Sequence, residues 1–351
     1  MSETVKASRS SVEALPLEKL QRYLSAKVEG FSGPLKISKF SGGQSNPTFK
    51  LETPSNTYVL RRQPPGKLLK SAHAVDREYR VMSVLASTAV PVPKVFHLCE
   101  DRDLIGSMFY LMEYCEGRIF WNAAIPEVDS PVRSAMYDEM NRVLAALHSL
   151  DIDSLGLSDY GRPGNYFQRQ LERWTGQYRA SETQPIAAME ELMEWLGTTL
   201  PEDDDRVALV HGDYRLDNMI FHPEEPKIIA LLDWELSTLG HPFADLAYQC
   251  MQMRMPAGSD KMSGLLGLDL ASLGIPSEQA YVAKYCQRMG IEGIDHWPFY
   301  LAFSFFRLAA IVQGVAKRAQ EGNASNRNAA SLGALVAPLA QTAMCIATEA
   351  D

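Results

Sequence analysis

The spacing of apolar residues changes character along the chain. Behind Pro16, Leu17, Leu20, Leu24 and Val28 recur at helical intervals and predict one amphipathic helix with those four inward. The period then shortens. Leu35 to Phe40, Thr48 to Glu52 and Thr57 to Arg62 read as three short strands, the first two joined by Ser41-Gly42-Gly43-Gln44-Ser45-Asn46. After the break Pro64-Pro65-Gly66, helical spacing returns over residues 72–87, with Val75, Tyr79, Met82 and Leu85 inward. Val90 to Leu98 and Ser107 to Tyr114 predict two further strands. Beyond them helices dominate. Met136, Met140, Val143, Leu144 and Leu147 form one apolar stripe; Phe167, Leu171, Trp174 and Tyr178 form a second; Ile186, Met189, Met193 and Leu196 form a third.

Strand patterning reappears once inside this helical half, in LVHGDYRLDNMIFHPEEPKIIALLD. Ala208 to Val210 is a strand that delivers His211-Gly212-Asp213 to a loop. Met219 to Phe221 is a second strand, His222 to Pro226 a turn, and Ile228 to Leu232 a third strand ending on Asp233. Asp213, Asn218 and Asp233 therefore stand where buried strands stop. A carboxylate beside an apolar strand is costly unless it is paired or bound to a metal. Two carboxylates and a carboxamide suit a hard, oxygen-seeking Mg²⁺, with one carboxylate left to act as a base.

Composition narrows the picture. The chain has 351 residues, which favours two lobes over one domain. Hydrophobic content of 46% and charged content of 22% describe a globular protein, and a net charge of −9 argues against non-specific nucleic-acid binding. The N-terminus MSETVKASRS has no apolar core of a signal peptide. Five scattered cysteines without a C-x-x-C pair read as reduced thiols, so the expected location is cytoplasmic. Phe299 to Ala316 and Leu332 to Ala347 are the most apolar late stretches. Arg307 and Gln313 interrupt the first, Pro338 and Gln341 the second, so both read as core helices rather than membrane spans.

Other segments admit two readings on residues alone. Ser41 to Asn46 is a plain turn, or a glycine turn whose N–H groups approach a phosphate. Arg61 and Arg62 are a solvated edge-strand pair unless one of them is turned to a site. Strand alternation puts Val59 and Arg61 on one face, which favours Arg61 over Arg62. Glu202 to Asp205 is a solvated loop or an attractor for a cationic substrate. Residues 256–276, rich in Gly, Ser and Pro, read as a mobile loop or partial lid. Arg307 faces a cleft or is paired in the core.

His211-Gly212-Asp213-Tyr214-Arg215-Leu216-Asp217-Asn218, followed by a strand ending in Asp233, resembles the H-G-D-x-x-x-x-N loop of the aminoglycoside phosphotransferase and choline kinase family, relatives of the protein kinases. The wording of VLRRQPPG, DREYRVM, HGDYRLDN and LDWELSTLGHP looks most like the branch found fused to acyl-CoA dehydrogenases. The resemblance implies an α+β, bilobal protein-kinase-like fold: a small N-terminal antiparallel-sheet lobe over residues 1–114 and a larger, mainly helical lobe over 115–351. It implies ATP and Mg²⁺ as cofactors and a small-molecule hydroxyl acceptor, possible members being a hydroxyacyl-CoA or related hydroxy acid, with no nucleic-acid or membrane partner. Carried over by motif, Asp213 takes the acceptor proton, His211 supports the loop, and Asn218 and Asp233 hold metal. Ser41, Gly42, Gly43, Ser45 and Asn46 cover the phosphates. Arg61 stands where kinases carry a phosphate-binding Lys, a departure, and Glu78 is its partner. The backbone of Glu113 and Cys115 holds adenine at a hinge, and Asp245 braces the catalytic loop or caps its helix. Three rivals remain: an aminoglycoside or other antibiotic phosphotransferase, a nucleotide-binding pseudokinase, and a protein kinase. The last lacks a long activation segment after Asp233.

Overall fold

A computed structural model of the chain describes residues 15–40, 46–64, 73–258, 263–321 and 332–349. The chain packs as two compact units. One comprises the described residues up to Gly117 together with Ile229–Glu235; the other comprises Arg118–Ile228 and Leu236 onward. A division at residue 114 or 115 misses this return of 229–235 into the first unit.

In the first unit, helix α1 (Leu17–Lys27) precedes strands β1 (Lys36–Lys39), β2 (Thr48–Glu52) and β3 (Thr57–Arg62). Helix α2 (Val75–Leu85), strand β4 (Val95–Cys99), the single turn α3 (Arg102–Ile105) and strand β5 (Phe109–Glu113) complete it. The five strands form one antiparallel sheet in the order β1-β2-β3-β5-β4. The alternation read from β3 decides its two faces. Tyr58 and Leu60 join Leu20 and Leu24 of α1, Phe49, Leu51, Phe109 and Leu111 in one apolar cluster. Each such side chain, fully buried, contributes about 1.5–3 kcal/mol. Leu17 is exposed, so the inward stripe of α1 is Leu20 and Leu24 with Val28 behind them. Val81, Met82 and Leu85 are the buried side of α2. Tyr79 is only half-buried; Glu78 takes the interior place instead.

The second unit holds helices α4 (Ser130–His148), α5 (Tyr166–Ser181) and α6 (Ala187–Thr198), then strands β6 (Ala208–Val210) and β7 (Met219–Phe221). Strand β8 (Ile228–Leu231) carries the chain toward Asp233, and β9 (Thr238–Gly240) pairs antiparallel with β6. Helices α7 (Phe243–Met251), α8 (Leu270–Leu273), α9 (Glu278–Met289), α10 (Trp297–Gln320) and α11 (Val336–Thr348) follow. Ser277 caps α9 and Gly290 ends it in a left-handed turn. Helix α10 is long and apolar enough to cross a membrane, yet most of it is buried, and it packs against α5, α6, α7 and α11. The described part of 256–276 is tied down rather than free: Pro256 bridges to Leu266 and Ala257 to Gly264. At Gly264 a Cβ would fall 2.1 Å from the Gln252 carbonyl oxygen, so only glycine permits this close return.

Candidate active site

The register of β3 and β5 sets Arg61 opposite Tyr110. Arg61 Nε lies 2.9 Å from Glu78 Oε2, off the N–H axis, so the contact is an ion pair rather than an aligned hydrogen bond. Its Nη2 donates to Asp233 Oδ1 at 2.7 Å and lies 3.6 Å from Glu235 Oε2. Tyr110 donates its hydroxyl to Glu78 Oε2 at 3.0 Å, and Asn46 Nδ2 donates to Glu78 Oε1 at 3.0 Å. His73 Nδ1 is 3.1 Å from Asn46 Oδ1. Arg62 goes the other way. It donates to the Ile105 carbonyl at 3.1 Å, its guanidinium lies 5.9 Å from the Phe49 ring centre, and burial lowers its pKa.

These contacts centre one guanidinium among three carboxylates. Burial works against the Arg61 charge, but Glu78, Tyr110, Asp233 and Glu235 outweigh it and raise the guanidinium pKa. Glu78 is 1% exposed, and burial pushes it up to about 7 against the pull of Arg61 and Tyr110. The segment bearing Asp233 is anchored on both sides. Leu231 N–H donates to the Pro91 carbonyl, and the buried Trp234 indole donates back to the Leu231 carbonyl. Asp233 itself has φ 64°, a left-handed conformation that Asp tolerates better than most residues.

The second unit builds a different device. Asp245, 1% exposed on α7, accepts from the backbone N–H of His211 at 2.6 Å and of Gly212 at 2.8 Å. His148 Nε2 lies 3.4 Å from the same carboxylate, and His148 Nδ1 meets the Tyr285 hydroxyl at 2.7 Å. Burial alone would raise the Asp245 pKa, but His148, His211 and the Gly212 N–H hold it below its ordinary value. Asp245 thus braces the loop. Gly212 has φ +80°, and a Cβ there would stand 2.7 Å from the Leu236 carbonyl oxygen, so the loop needs glycine.

Asp213 N–H donates to His211 Nδ1 at 3.2 Å, which places His211 in the loop's own support. Asn218 Nδ2 donates to both the Asp213 carbonyl and Asp213 Oδ2, each at 3.0 Å. Arg307 of α10 donates to the Gly212 carbonyl at 2.5 Å, with its guanidinium between the rings of Trp174 and Tyr248, 5.6 and 5.2 Å from their centres. Burial raises the Tyr248 pKa, and so do the charge of Asp213 and a hydrogen bond to it. Arg307 is therefore a loop-backbone partner, the outcome neither of its two readings named.

The remaining candidates are placed more simply. The Glu113 N–H is taken by the Lys94 carbonyl at 2.8 Å, and its carboxylate accepts from Lys94 N–H at 3.2 Å, so at this position the backbone carbonyl is the group left to consider. Cys115 is partly buried, which pushes its thiol up to about 12. Ser41, Gly42, Gly43 and Ser45 lie outside the described residues. Asp203 accepts from Asn165 N–H at 2.6 Å and Asp204 from His241 Nε2 at 3.1 Å, so half of the acidic run braces other loops. Sequence reasoning missed His73, His148, Tyr248 and Glu235. Their roles depend on contacts 27 to 189 residues apart, which no local period records.

The donors for a divalent cation fit in chemistry. Asp233 offers a carboxylate that is 41% exposed, and Asn218 offers an amide oxygen while its nitrogen is committed to Asp213. Oxygen donors of this kind suit Mg²⁺, which keeps several waters and borrows phosphate oxygens. Among the described residues, no group of three or more His, Cys, Asp or Glu side chains is placed to hold a metal ion by itself.

A sheet-borne Arg–Glu pair in an α+β chain with a braced H-G-D-x-x-x-x-N loop defines a kinase-type phosphotransferase. Comparison with known proteins agrees. The APH family, described as the phosphotransferase enzyme family, matches residues 36–283. Acyl-CoA dehydrogenase family member 10 of Mus musculus is 48% identical over 337 residues, 96% of this chain and 31% of that protein. Acyl-CoA dehydrogenase family member 11 of Homo sapiens is 43% identical over 342 residues, 95% of this chain and 44% of that protein. The chain thus spans less than half the length of these curated relatives. Among solved structures, a candidate aminoglycoside phosphotransferase from Ralstonia eutropha JMP134 matches with a TM-score of 0.87 at 50% identity, over 95% of this chain and 98% of that one. Aminoglycoside phosphotransferase APH(4)-Ia, in a ternary complex with AMP-PNP and hygromycin B, matches at 0.60 and 16% identity, over 94% and 98%. The chain belongs to the APH phosphotransferase enzyme family and has its kinase-like fold.

Proposed function

We propose that this chain moves the γ-phosphoryl group of ATP to the hydroxyl of a small acceptor, and that the acceptor is a hydroxyacyl-CoA or a related hydroxy acid. The observation that carries the reading is the treatment of Asp213. Its loop is fixed through two N–H groups by Asp245, Asn218 donates to Oδ2, and the Tyr248 hydroxyl also hydrogen-bonds the carboxylate, so the side chain is oriented while its loop is held from behind. In the reaction the acceptor O–H bond breaks, its proton passes to the Asp213 carboxylate, the acceptor oxygen bonds to phosphorus, and the bond from phosphorus to the bridging oxygen of ADP breaks. Arg61, oriented by Glu78, binds phosphate oxygens as a fork. Asn218 and Asp233 would hold Mg²⁺, which neutralises phosphate charge when bound. His211 keeps the loop in shape.

ATP use is supported by the AMP-PNP and ADP complexes of distant members of the fold. The acceptor class is supported by the names of the relatives at 43–48% identity, whose remaining length is not in this chain. Incubation of the protein with ATP, Mg²⁺ and a set of short 3- and 4-hydroxyacyl-CoAs tests it by mass spectrometry. A phosphorylated acyl-CoA, absent with Asp213→Asn, is the expected result. Normal turnover by Asp213→Asn would mean that the base is elsewhere.

One rival has its own observation. Asp233 is already held by Arg61 at 2.7 Å, as in a nucleotide-binding module that never turns over. Such a module binds ATP but yields no ADP with any acceptor, a result the same assay records. The antibiotic rival gains little here, since Asp203 and Asp204 of the acidic run have structural partners.

A further inference from the structure

Arg61 has more carboxylate around it than one guanidinium needs. Its Nη2 lies 2.7 Å from Asp233 Oδ1 and 3.6 Å from Glu235 Oε2, and Glu78 Oε2 stands 2.9 Å from its Nε. The Arg61 side chain is 12% exposed, so these charges meet with little water between them. Three acids on one cation is a costly excess in such a place, because like charges repel and burial removes their hydration. Tyr110 and Asn46 donate to Glu78, which accounts for one of the three. Asp233 is the carboxylate that the proposed function gives to a cation. Glu235 has no part in that scheme, yet it is held in place.

The manner of holding is specific. Glu235 follows Asp233 across the fully buried Trp234, in the short turn Trp234–Leu236. The Trp234 indole is pinned on the Leu231 carbonyl, so the two acids keep their places on either side of it. Asn46, itself fully buried, points one amide nitrogen at both Glu78 Oε1, at 3.0 Å, and Glu235 Oε2, at 3.4 Å. His73 Nδ1 meets the other end of that amide at 3.1 Å. An arginine Nη carries a pair of N–H groups. One of those on Nη2 serves Asp233, and the present 3.6 Å to Glu235 is too long for a hydrogen bond. A small turn of the guanidinium closes it. If Asp233 left and Arg61 had no other partner there, a buried charge would lose its compensation, which is the expensive way to break an ion pair.

We infer that Glu235 is the second seat of Arg61: a positioning residue, backed by Asn46, that takes over the Nη2 contact when Asp233 turns to a divalent cation. The guanidinium then stays anchored by Glu78 and Glu235, and its Nη1 N–H groups remain for phosphate oxygens. The cation step rests on the phosphotransfer reading above; the exchange of partners does not.

Melting temperatures of the intact chain without nucleotide test the exchange, with Asp233→Ala removing the first seat. In wild type, Glu235→Gln should shift the melting temperature by about 1 °C or less, because Arg61 keeps Asp233. In Asp233→Ala the same change should lower it by roughly 3–6 °C, the loss of one charge-assisted hydrogen bond. With Arg61→Met also present, that extra loss should vanish. Equal shifts in the two backgrounds, or an extra loss that survives Arg61→Met, would overturn the inference. Should Asp233→Ala not fold, Asp233→Gly, which suits the left-handed backbone there, takes its place. A second arm adds saturating ATP with and without Mg²⁺. Glu235→Gln should keep the ATP-induced rise and part of its Mg²⁺-dependent share. Complete loss of that share would make Glu235 a metal ligand and overturn the second seat. No ATP-induced rise in wild type, with the nucleotide-free shifts as expected, would keep the second seat and remove the phosphotransfer reading.

Discussion

Asp213 and Asp233 both stand at the ends of short buried segments, but the protein holds them by opposite means. Asp213 is fixed largely through its loop's backbone: Asp245 takes two N–H groups of the loop and Arg307 takes a carbonyl, while Asn218 and Tyr248 hydrogen-bond the carboxylate itself. Asp233 is fixed through its carboxylate, which Arg61 binds directly, and it is 41% exposed. A backbone grip leaves a side chain free for chemistry and does not change when a ligand arrives. An ion pair is a placeholder that a cation or a phosphate can replace. Under the proposed function, the Asp245 loop is the rigid half of the machinery and the Arg61 cluster the exchangeable half.

The largest expected effect falls on the rigid half. Asp213→Asn keeps the shape of the loop but removes the proposed proton acceptor, so turnover should fall by roughly 10²- to 10⁴-fold while ATP still raises the melting temperature. Steady-state kinetics beside a melting curve separate the two readouts. Asp245→Ala acts on folding instead. It strands two N–H groups and His148, each costing about 1–3 kcal/mol, so urea unfolding should show a loss of about 3 kcal/mol or more. A loss below ~1 kcal/mol would show that the loop is held by something else.

Gly212→Ala should cost about 1–3 kcal/mol through its left-handed backbone and its approach to Leu236. If this variant is as stable as wild type, the loop does not hold the conformation described. The smallest effect concerns the exchangeable half and is a matter of sign. Glu78 has a folded pKa of about 7 against an ordinary 4.5, so folding takes up a proton between those values. Stability from Glu78 is therefore greatest below pH 4.5 and declines as pH rises toward 7. The melting temperature of wild type minus that of Glu78→Gln should fall from pH 5 to pH 7.5 (working values chosen at about the edges of that window). A difference that stays flat or rises over this range would mean that folding does not raise the Glu78 pKa.

Much of this was legible because each part carries a local signal. The alternation of β3 separated Arg61 from Arg62, and the structure sends one to Glu78 and the other to Ile105. The HGDYRLDN spacing brought Asn218 back to Asp213, as a short loop between two strands must. Glu235 joins Arg61 across 174 residues, the difference between their numbers, and only the fold could show it. His148 was one more residue at the end of an apolar stripe until the partner of Asp245 was known. Arg307 offered an isolated charge among Phe and Ala, and its target, a backbone carbonyl, has no sequence signature. Leu17 misled because helical period alone does not say how wide the buried stripe is.

The proposal that Asp233, the ion-pair partner of Arg61, is a cation ligand is the one most open to a direct test. The most direct test is the melting temperature of wild type and Asp233→Ala with saturating ATP, each with and without Mg²⁺. A ligand that binds only the folded state must raise the melting temperature. The account predicts a rise in wild type that grows when Mg²⁺ is present, and no Mg²⁺-dependent part in Asp233→Ala. No rise in wild type at saturating ATP, or an Mg²⁺-dependent rise that survives in Asp233→Ala, would contradict it.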